Sequence, residues 1–298
     1  MIHKIKLVIG PFSFVRMNAL AVSPFPALWS DLHEGRLDAM VEIAIKAGRH
    51  TLVHFRQEKL AVDLKSDESP VTIADREAEQ QARRRIAARF PNDSVAGEEF
   101  DDVPGTSEYR WTIDPIDGTK SFVCGVPLYS TLLALEYRDE PLGGAIVLPA
   151  LEEAVVAATG GGCYYTKDLQ GWQPTKVSDR QDLSAAVFVT SEVKSFADRG
   201  DPSAFERLQA RCWLTRTWGD GYGYLMVATG RADVMVDPIC NAWDVAAILP
   251  ILTEAGGRFS DWEGQSTVRG GDGVGTNGRL HNAALAVLAG KTKESTAG

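Results

Sequence analysis

Trp111-Thr-Ile-Asp-Pro-Ile-Asp-Gly-Thr119 is the stretch from which the rest of the chain can be read. A short β-type run, Tyr109 to Ile113, delivers Asp114 into a proline. Pro115 has no N–H, so it forbids a simple continuation of the strand's ladder. Asp117 follows three residues on, just before Gly118-Thr119-Lys120-Ser121. The pair can aim two carboxylates at one point where a strand ends and a helix begins. The Ile116 carbonyl lies between them as a further hard oxygen. Oxygen-only ligands suit Mg²⁺ rather than zinc or copper. Gly118 and Thr119 would then stand at a helix N-terminus, with N–H groups turned towards an anion. The same hexapeptide is also good turn chemistry, with Asp capping and Gly supplying positive φ. Other segments have to break the tie.

Working outward, three more acid-bearing segments lie at element boundaries. Glu98 sits in Gly97-Glu-Glu99, which could equally be a solvated loop. Asp244 follows Trp243 at the head of an apolar helix, where an acid is also an ordinary N-cap. Asp75 closes Ser69-Pro-Val-Thr-Ile-Ala-Asp75, where a helix-start acid is favoured by the dipole. Each plain reading is reasonable alone; together they leave four acidic segments beside Gly, Pro, Ser or Thr.

The chain has 298 residues, 44% of them hydrophobic and 24% charged, with a formal net charge of -9. That is ordinary for a globular protein and argues against a nucleic-acid or anionic-membrane binder, which would want a basic face. An anionic substrate stays open, because bound cations invert a local field. Cys124, Cys163, Cys212 and Cys240 are scattered, with no Cys-x-x-Cys, and read as reduced thiols of a cytoplasmic protein. Residues 1–28 read as an extension, expected to be disordered. Lys4, Lys6 and Leu7-Val-Ile9 imitate a weak export signal, but Gly10, Pro11 and Arg16 interrupt it, and Met17 offers an alternative start. Residues 29–290 read as one unit of two halves, about 29–180 and 181–290, and 291–298 as a loose tail.

The pattern predicts helices over 31–56 and 72–89, then strands over 130–137, 144–148 and 153–158. The second half alternates: strand 186–190, helix 202–211, helix 222–229, strand 232–236, helix 243–255 kinked at Pro250, and strand 258–261.

Lys65-Ser-Asp-Glu-Ser-Pro-Val-Thr-Ile-Ala-Asp75, Gly97-Glu-Glu99, Trp111 to Thr119, and Trp243-Asp-Val-Ala246 with Glu254-Ala-Gly-Gly257 recur in one order. In this the chain resembles the inositol monophosphatase superfamily of Mg²⁺-dependent phosphatases, across most of residues 30 to 290. The resemblance implies a layered α-β-α-β-α sandwich of the α+β class and a homodimer. It implies that Glu98, Asp114 and the Ile116 carbonyl bind one metal and that Asp114, Asp117 and Asp244 bind a second. A third, weaker ion would use Glu98 and water. Glu98, Asp75 and Thr119 would activate the attacking water, and Asp117, Gly118 and Thr119 would hold the phosphate.

Lys120-Ser-Phe122, Gly125-x-Pro127-Leu and Trp218-Gly-Asp-Gly-Tyr-Gly-Tyr224 resemble the histidinol-phosphatase branch. That substrate carries an ammonium and an imidazole. Asp220 and Asp237 could pair with them, and Trp218 and Tyr222 could flank the ring. The plain alternatives are an N-cap, a turn and core aromatics. Competing readings are an inositol-1-phosphate phosphatase, a 3′-phosphoadenosine 5′-phosphate phosphatase, for which no basic cluster is evident, and a metal-binding regulator without catalysis.

Overall fold

The computed structural model describes residues 23–57, 62–64 and 70–291. The first half opens with α1 (Ala27–Leu32) and α2 (Arg36–Thr51). The single helix expected over 31–56 is therefore two shorter ones. Gly35 takes the left-handed conformation, φ 75°, between them, which a side-chain-bearing residue adopts only at a cost. At the other end the Thr51 hydroxyl turns back to the Gly48 carbonyl at 2.6 Å and meets the Tyr129 hydroxyl at 2.9 Å. Leu37, Met40, Val41, Ala44 and Ile45 are buried, as their helical spacing predicts. Within the stretch 1–28 read as a disordered extension, Phe25 is buried with its ring 6.0 Å from that of Tyr164; residues 1–22 and 292–298 lie outside the described set.

β1 (Val62–Leu64) pairs antiparallel with β2 (Pro70–Thr72). The Lys65–Ser69 part of the first acidic motif lies outside the described residues. α3 (Ile73–Arg89) starts at a reciprocal cap, in which Ala74 N–H donates to the Thr72 hydroxyl and Thr72 N–H donates to Asp75. Next come β3 (Ser94–Gly97), β4 (Tyr109–Asp117), the short α4 (Thr119–Val123), β5 (Ser130–Tyr137), β6 (Glu140–Leu148), β7 (Glu153–Ala158), β8 (Gly162–Thr166) and β9 (Gln173–Pro174). These strands form a seven-stranded sheet in sequence order, β3 parallel to β4 and the rest antiparallel.

The second half contains β10 (Val187–Thr190), α5 (Lys194–Asp198), α6 (Ser203–Gln209), β11 (Leu214–Arg216), α7 (Asp220–Ala228) and β12 (Val234–Asp237). α8 (Ala242–Val245), α9 (Ile248–Glu254), β13 (Arg258–Ser260), β14 (Gly273–Thr276) and α10 (His281–Leu288) complete it. The sheet order is β11-β10-β12-β14-β13, with β10, β11 and β12 mutually parallel and β14 antiparallel to its neighbours. The helix expected over 243–255 is interrupted at Ala246 and Ala247. Pro250 has no N–H for the Ala246 carbonyl, and its ring crowds that carbonyl.

Strand alternation sets the layers. Leu133, Leu135, Ala145, Val147, Ala154 and Val156 face a core shared with α2 and Ile86 of α3. Leu132, Ala134, Ile146, Leu148, Val155 and Ala157 face the opposite way, onto α7 and α9. Those helices also cover Val187, Val189 and Met235 of the second sheet. The outer face of that sheet, Phe188, Val234, Val236 and Val274, packs on α5, α6 and α10. The order is helix, sheet, helix, sheet, helix, the α+β sandwich expected. Gly144 lets α9 settle onto β6, since any Cβ there would overlap the Ala247 backbone. No helix among the described residues is long and apolar enough to cross a membrane.

Candidate active site

Asp114 and Asp117 are three residues apart on one strand, so a regular pleat would send them to opposite faces. The register prevents this. Asp114 pairs with Leu132 and Asp117 with Ser130, so β4 spends one more residue than β5 between these points. This is a bulge, and it turns both carboxylates to the same side. Pro115 sits in it, and its carbonyl accepts from the Thr131 hydroxyl at 2.7 Å.

The two carboxylates meet Asp244 from the second half. Asp114, Asp117 and Asp244 each place an oxygen within 4.8 Å of the others. Asp244 is the third residue of α8, not its cap; Asn241 holds that position, and Asn241 N–H donates to Asp244 Oδ2 at 2.6 Å. Asp117 Oδ2 accepts from the Ser130 hydroxyl at 2.8 Å and from the Gly221 N–H. A Cβ on Gly221 would overlap the Ser130 hydroxyl and stand 2.8 Å from Asp117 Oδ2. Only glycine permits this junction between the halves.

Asp75 is buried at the start of α3, its Oδ1 3.5 Å from the Thr119 hydroxyl, which also donates to the Ile116 carbonyl at 3.0 Å. Gly118 caps α4 with φ 82°. Glu98 follows β3, its N–H donating to the Ile113 carbonyl at 3.2 Å, and its carboxylate adds to the negative field on Asp114.

Asp237, at the end of β12, accepts from the Ser191 hydroxyl at 2.5 Å, and Ser191 Oγ accepts from Asp220 N–H at 2.8 Å. Asp220 is held at φ 54°, a conformation that costs a side-chain-bearing residue on the order of 1 kcal/mol or more. Its Oδ2 lies 2.6 Å from where a Gly118 Cβ would be, so this carboxylate presses on the Asp-Gly-Thr turn. Asp220 is the first residue of α7, and Gly219 precedes it as cap.

The electrostatics is that of anions forced together. Burial first, then Glu98, Asp117 and Asp244, hold Asp114 well above the usual carboxylate range. Burial first, then Asp220 and Asp244, do the same to Asp117, against the opposing Gly221 and Ser130 hydrogen bonds. Desolvation raises Asp244 and Asp237 to about 7 each. Burial also raises Asp75 and Asp220. A group of acids this close, with oxygen as its only donor, is a fitting seat for a hard divalent cation, which would restore their charge.

Of the residues singled out in the sequence, Asp75, Glu98, Asp114, Ile116, Asp117, Gly118, Thr119, Asp220, Asp237 and Asp244 fall in this neighbourhood. Trp218 is 37% exposed, its ring 5.9 Å from the Arg216 guanidinium. Tyr222 takes another place: it packs on the central core and shares the Arg231 guanidinium with Tyr165. Helical geometry explains this, since Gly221 already occupies the face of α7 turned to Asp117. Sequence reading missed Ser130, Ser191, Gly221 and Glu79. Buried Glu79 accepts from Glu99 N–H at 2.8 Å and from Arg83 at 2.7 Å, bracing the Gly-Glu-Glu segment. The alternating glycines 219, 221 and 223 were the available sign of close backbone approach.

Residues 33–296 match the model of the inositol monophosphatase family. A histidinol-phosphatase of Chlorobaculum parvum is 42% identical over 238 residues, covering 80% of this chain and 90% of that protein. One of Streptomyces coelicolor is 38% identical over 250 residues, 83% of this chain and 94% of that protein. Among solved structures, the extragenic suppressor protein suhB of Bartonella henselae superposes with a TM-score of 0.79 at 26% identity, covering 87% of this chain and 99% of that one. The chain belongs to the inositol monophosphatase family, on its histidinol-phosphatase branch, and is a phosphoric monoester hydrolase.

Proposed function

We propose that this chain hydrolyses histidinol phosphate to histidinol and phosphate, with Mg²⁺, as a step of histidine biosynthesis. The observation that carries the substrate is the Asp220–Ser191–Asp237 chain set against Gly118. It brings two carboxylates from the second half to the edge of the acidic cluster. A leaving group bearing an ammonium and an imidazole answers that field, whereas an uncharged polyol does not. The exposed Trp218 indole offers a face for the imidazole. Tyr222 has no part in this reading.

Glu98, Asp114 and the Ile116 carbonyl would hold one Mg²⁺, Asp114, Asp117 and Asp244 a second, and Glu98 with water a weaker third. Bound there, Mg²⁺ supplies Lewis acidity and neutralises charge on the phosphoryl group. The Gly118 and Thr119 N–H groups hold the phosphate beside Asp117. Thr119 and Glu98 orient the attacking water. The Thr119 hydroxyl rotates from Ile116 to take the water's proton and passes its own to Asp75 Oδ1, 3.5 Å away. Burial raises the affinity of Asp75 for that proton.

The test is phosphate release from histidinol phosphate, inositol-1-phosphate, fructose-1,6-bisphosphate and 3′-phosphoadenosine 5′-phosphate, each with and without Mg²⁺. Histidinol phosphate is expected to lead by kcat/KM. A clear preference for inositol-1-phosphate would overturn the substrate assignment and leave the hydrolysis standing.

A further inference from the structure

Where α2 meets α3 there is a second cluster of ligating side chains that the acidic site does not use. His50 lies in the last turn of α2 and His54 in the turn that follows it, their rings edge to face with centroids 6.3 Å apart. Both address the same oxygen: His50 Nε2 lies 3.1 Å and His54 Nε2 2.9 Å from Glu77 Oε2 on α3. The three ligating atoms fall within 4.8 Å of one another. The side chains are 29%, 20% and 42% exposed, so the cluster is supported by the helices and open to solvent on one side.

We propose that His50, His54 and Glu77 form a binding site for a transition-metal dication of the Zn²⁺ type, separate from the acidic site and clipping α2 to α3. The donor set decides the class of ion. Two imidazole nitrogens and one carboxylate oxygen favour a borderline cation, whereas the acidic cluster offers oxygen alone. The geometry is close to what such an ion needs. Bonds of about 2.0–2.1 Å in a tetrahedron put donor atoms roughly 3.3 Å apart, a few tenths of an ångström beyond the two histidine-to-Glu77 separations. The solvent side leaves the fourth position to water.

The proton count also closes. Without an ion, each neutral ring donates Nε2–H to Glu77. With one, each ring keeps its proton on Nδ1 and offers the Nε2 lone pair, so neutral rings release no proton. The other described histidines are placed differently. Both ring nitrogens of His281 are engaged, by Ser260 and Thr276, and His33 Nδ1 lies 3.2 Å from the Tyr109 hydroxyl. Glu77 stands in the opening turns of α3, next to the Thr72–Asp75 cap. An ion here fastens the end of α3 that carries Asp75, and it acts on order at that end, not on the reacting atoms.

The experiment uses the full chain in a His3→Gln background with excess Mg²⁺. Calorimetric titration with Zn²⁺ measures stoichiometry and affinity, and pulsed EPR of added Cu²⁺ detects coordinated imidazole nitrogen. One Zn²⁺ per chain that survives Mg²⁺, and a two-imidazole Cu²⁺ signal, are expected. His54→Gln or His50→Gln should each weaken Zn²⁺ by about a hundredfold or more, and Glu77→Gln should weaken it as well. All three should leave Mg²⁺-dependent phosphate release unchanged, which also shows that they fold. Absence of Mg²⁺-resistant Zn²⁺ binding would overturn the site, as would an imidazole signal that persists when both histidines are replaced.

Discussion

In the seven-stranded half, Asp114 and Asp117 hang from one strand, and a single bulge aims them together. In the five-stranded half, Asp220, Asp237 and Asp244 stand on three separate elements. They reach the same place through Ser191, the Asn241 cap and the Gly219–Gly221 backbone. The first arrangement is local, set by one bulge of β4 against its neighbour β5. The second depends on how the sheets stack, and it can change its outer members without disturbing the first. That difference suits a division of labour in which the first half keeps the hydrolytic acids and the second supplies Asp244 and the residues facing the leaving group.

The sharpest way to test this division is at the acid where the two halves meet. Asp117→Asn should lower kcat by about 10³-fold while circular dichroism and the unfolding midpoint stay near wild type; near-normal turnover would refute the metal assignment. Removing the cation should be equally severe and reversible. Chelation followed by dialysis should abolish phosphate release, and Mg²⁺ should restore it, whereas activity that survives chelation would refute metal dependence.

Gly221→Ala probes the junction itself. The added methyl collides with Ser130 and Asp117, so a loss of stability of about 2 kcal/mol and a fall in kcat of about 10²-fold are expected from denaturant melts and initial rates. Asp237→Asn should separate the halves functionally. KM for histidinol phosphate should rise by about 10- to 100-fold, with little change for a small uncharged phosphate ester. An equal loss on both substrates would return Asp237 to the common machinery.

The smallest effect concerns a group confined to the second half. Burial holds the His281 imidazole down at about 4, against an ordinary 6.5, between Ser260 and Thr276. Below about 6.5 the unfolded chain takes up a proton that the folded chain refuses. This contribution to stability is therefore complete above 6.5 and shrinks as pH falls towards 4. His281→Gln should flatten the dependence of the unfolding midpoint between those values; an unchanged slope would remove His281 as its source.

Much of the molecule was legible before folding. The strands of the first half were readable because β-branched and small apolar runs end at turns, and Ser130–Tyr137 and Glu153–Ala158 match their predicted bounds. β14, with two glycines in Gly273–Thr276, and the short β3 and β11 gave no comparable periodicity. The glycines of β14 make room for Tyr224 and Phe259, a requirement set by the neighbouring layer. The break at Gly35 was hidden because the residues on either side keep a helical mix of apolar and charged types.

By itself, the sequence determined which acids were available and in what order, and it marked the strand, proline and glycine that concentrate them at Asp114 to Thr119. That information is local, carried by backbone rules acting over a few residues. Only the tertiary structure decided that Ser191 ties Asp220 to Asp237, and that Tyr222 turns to Arg231 instead of the site. These depend on sheet stacking and on close backbone approach at glycine, which residue types along the chain do not encode one position at a time.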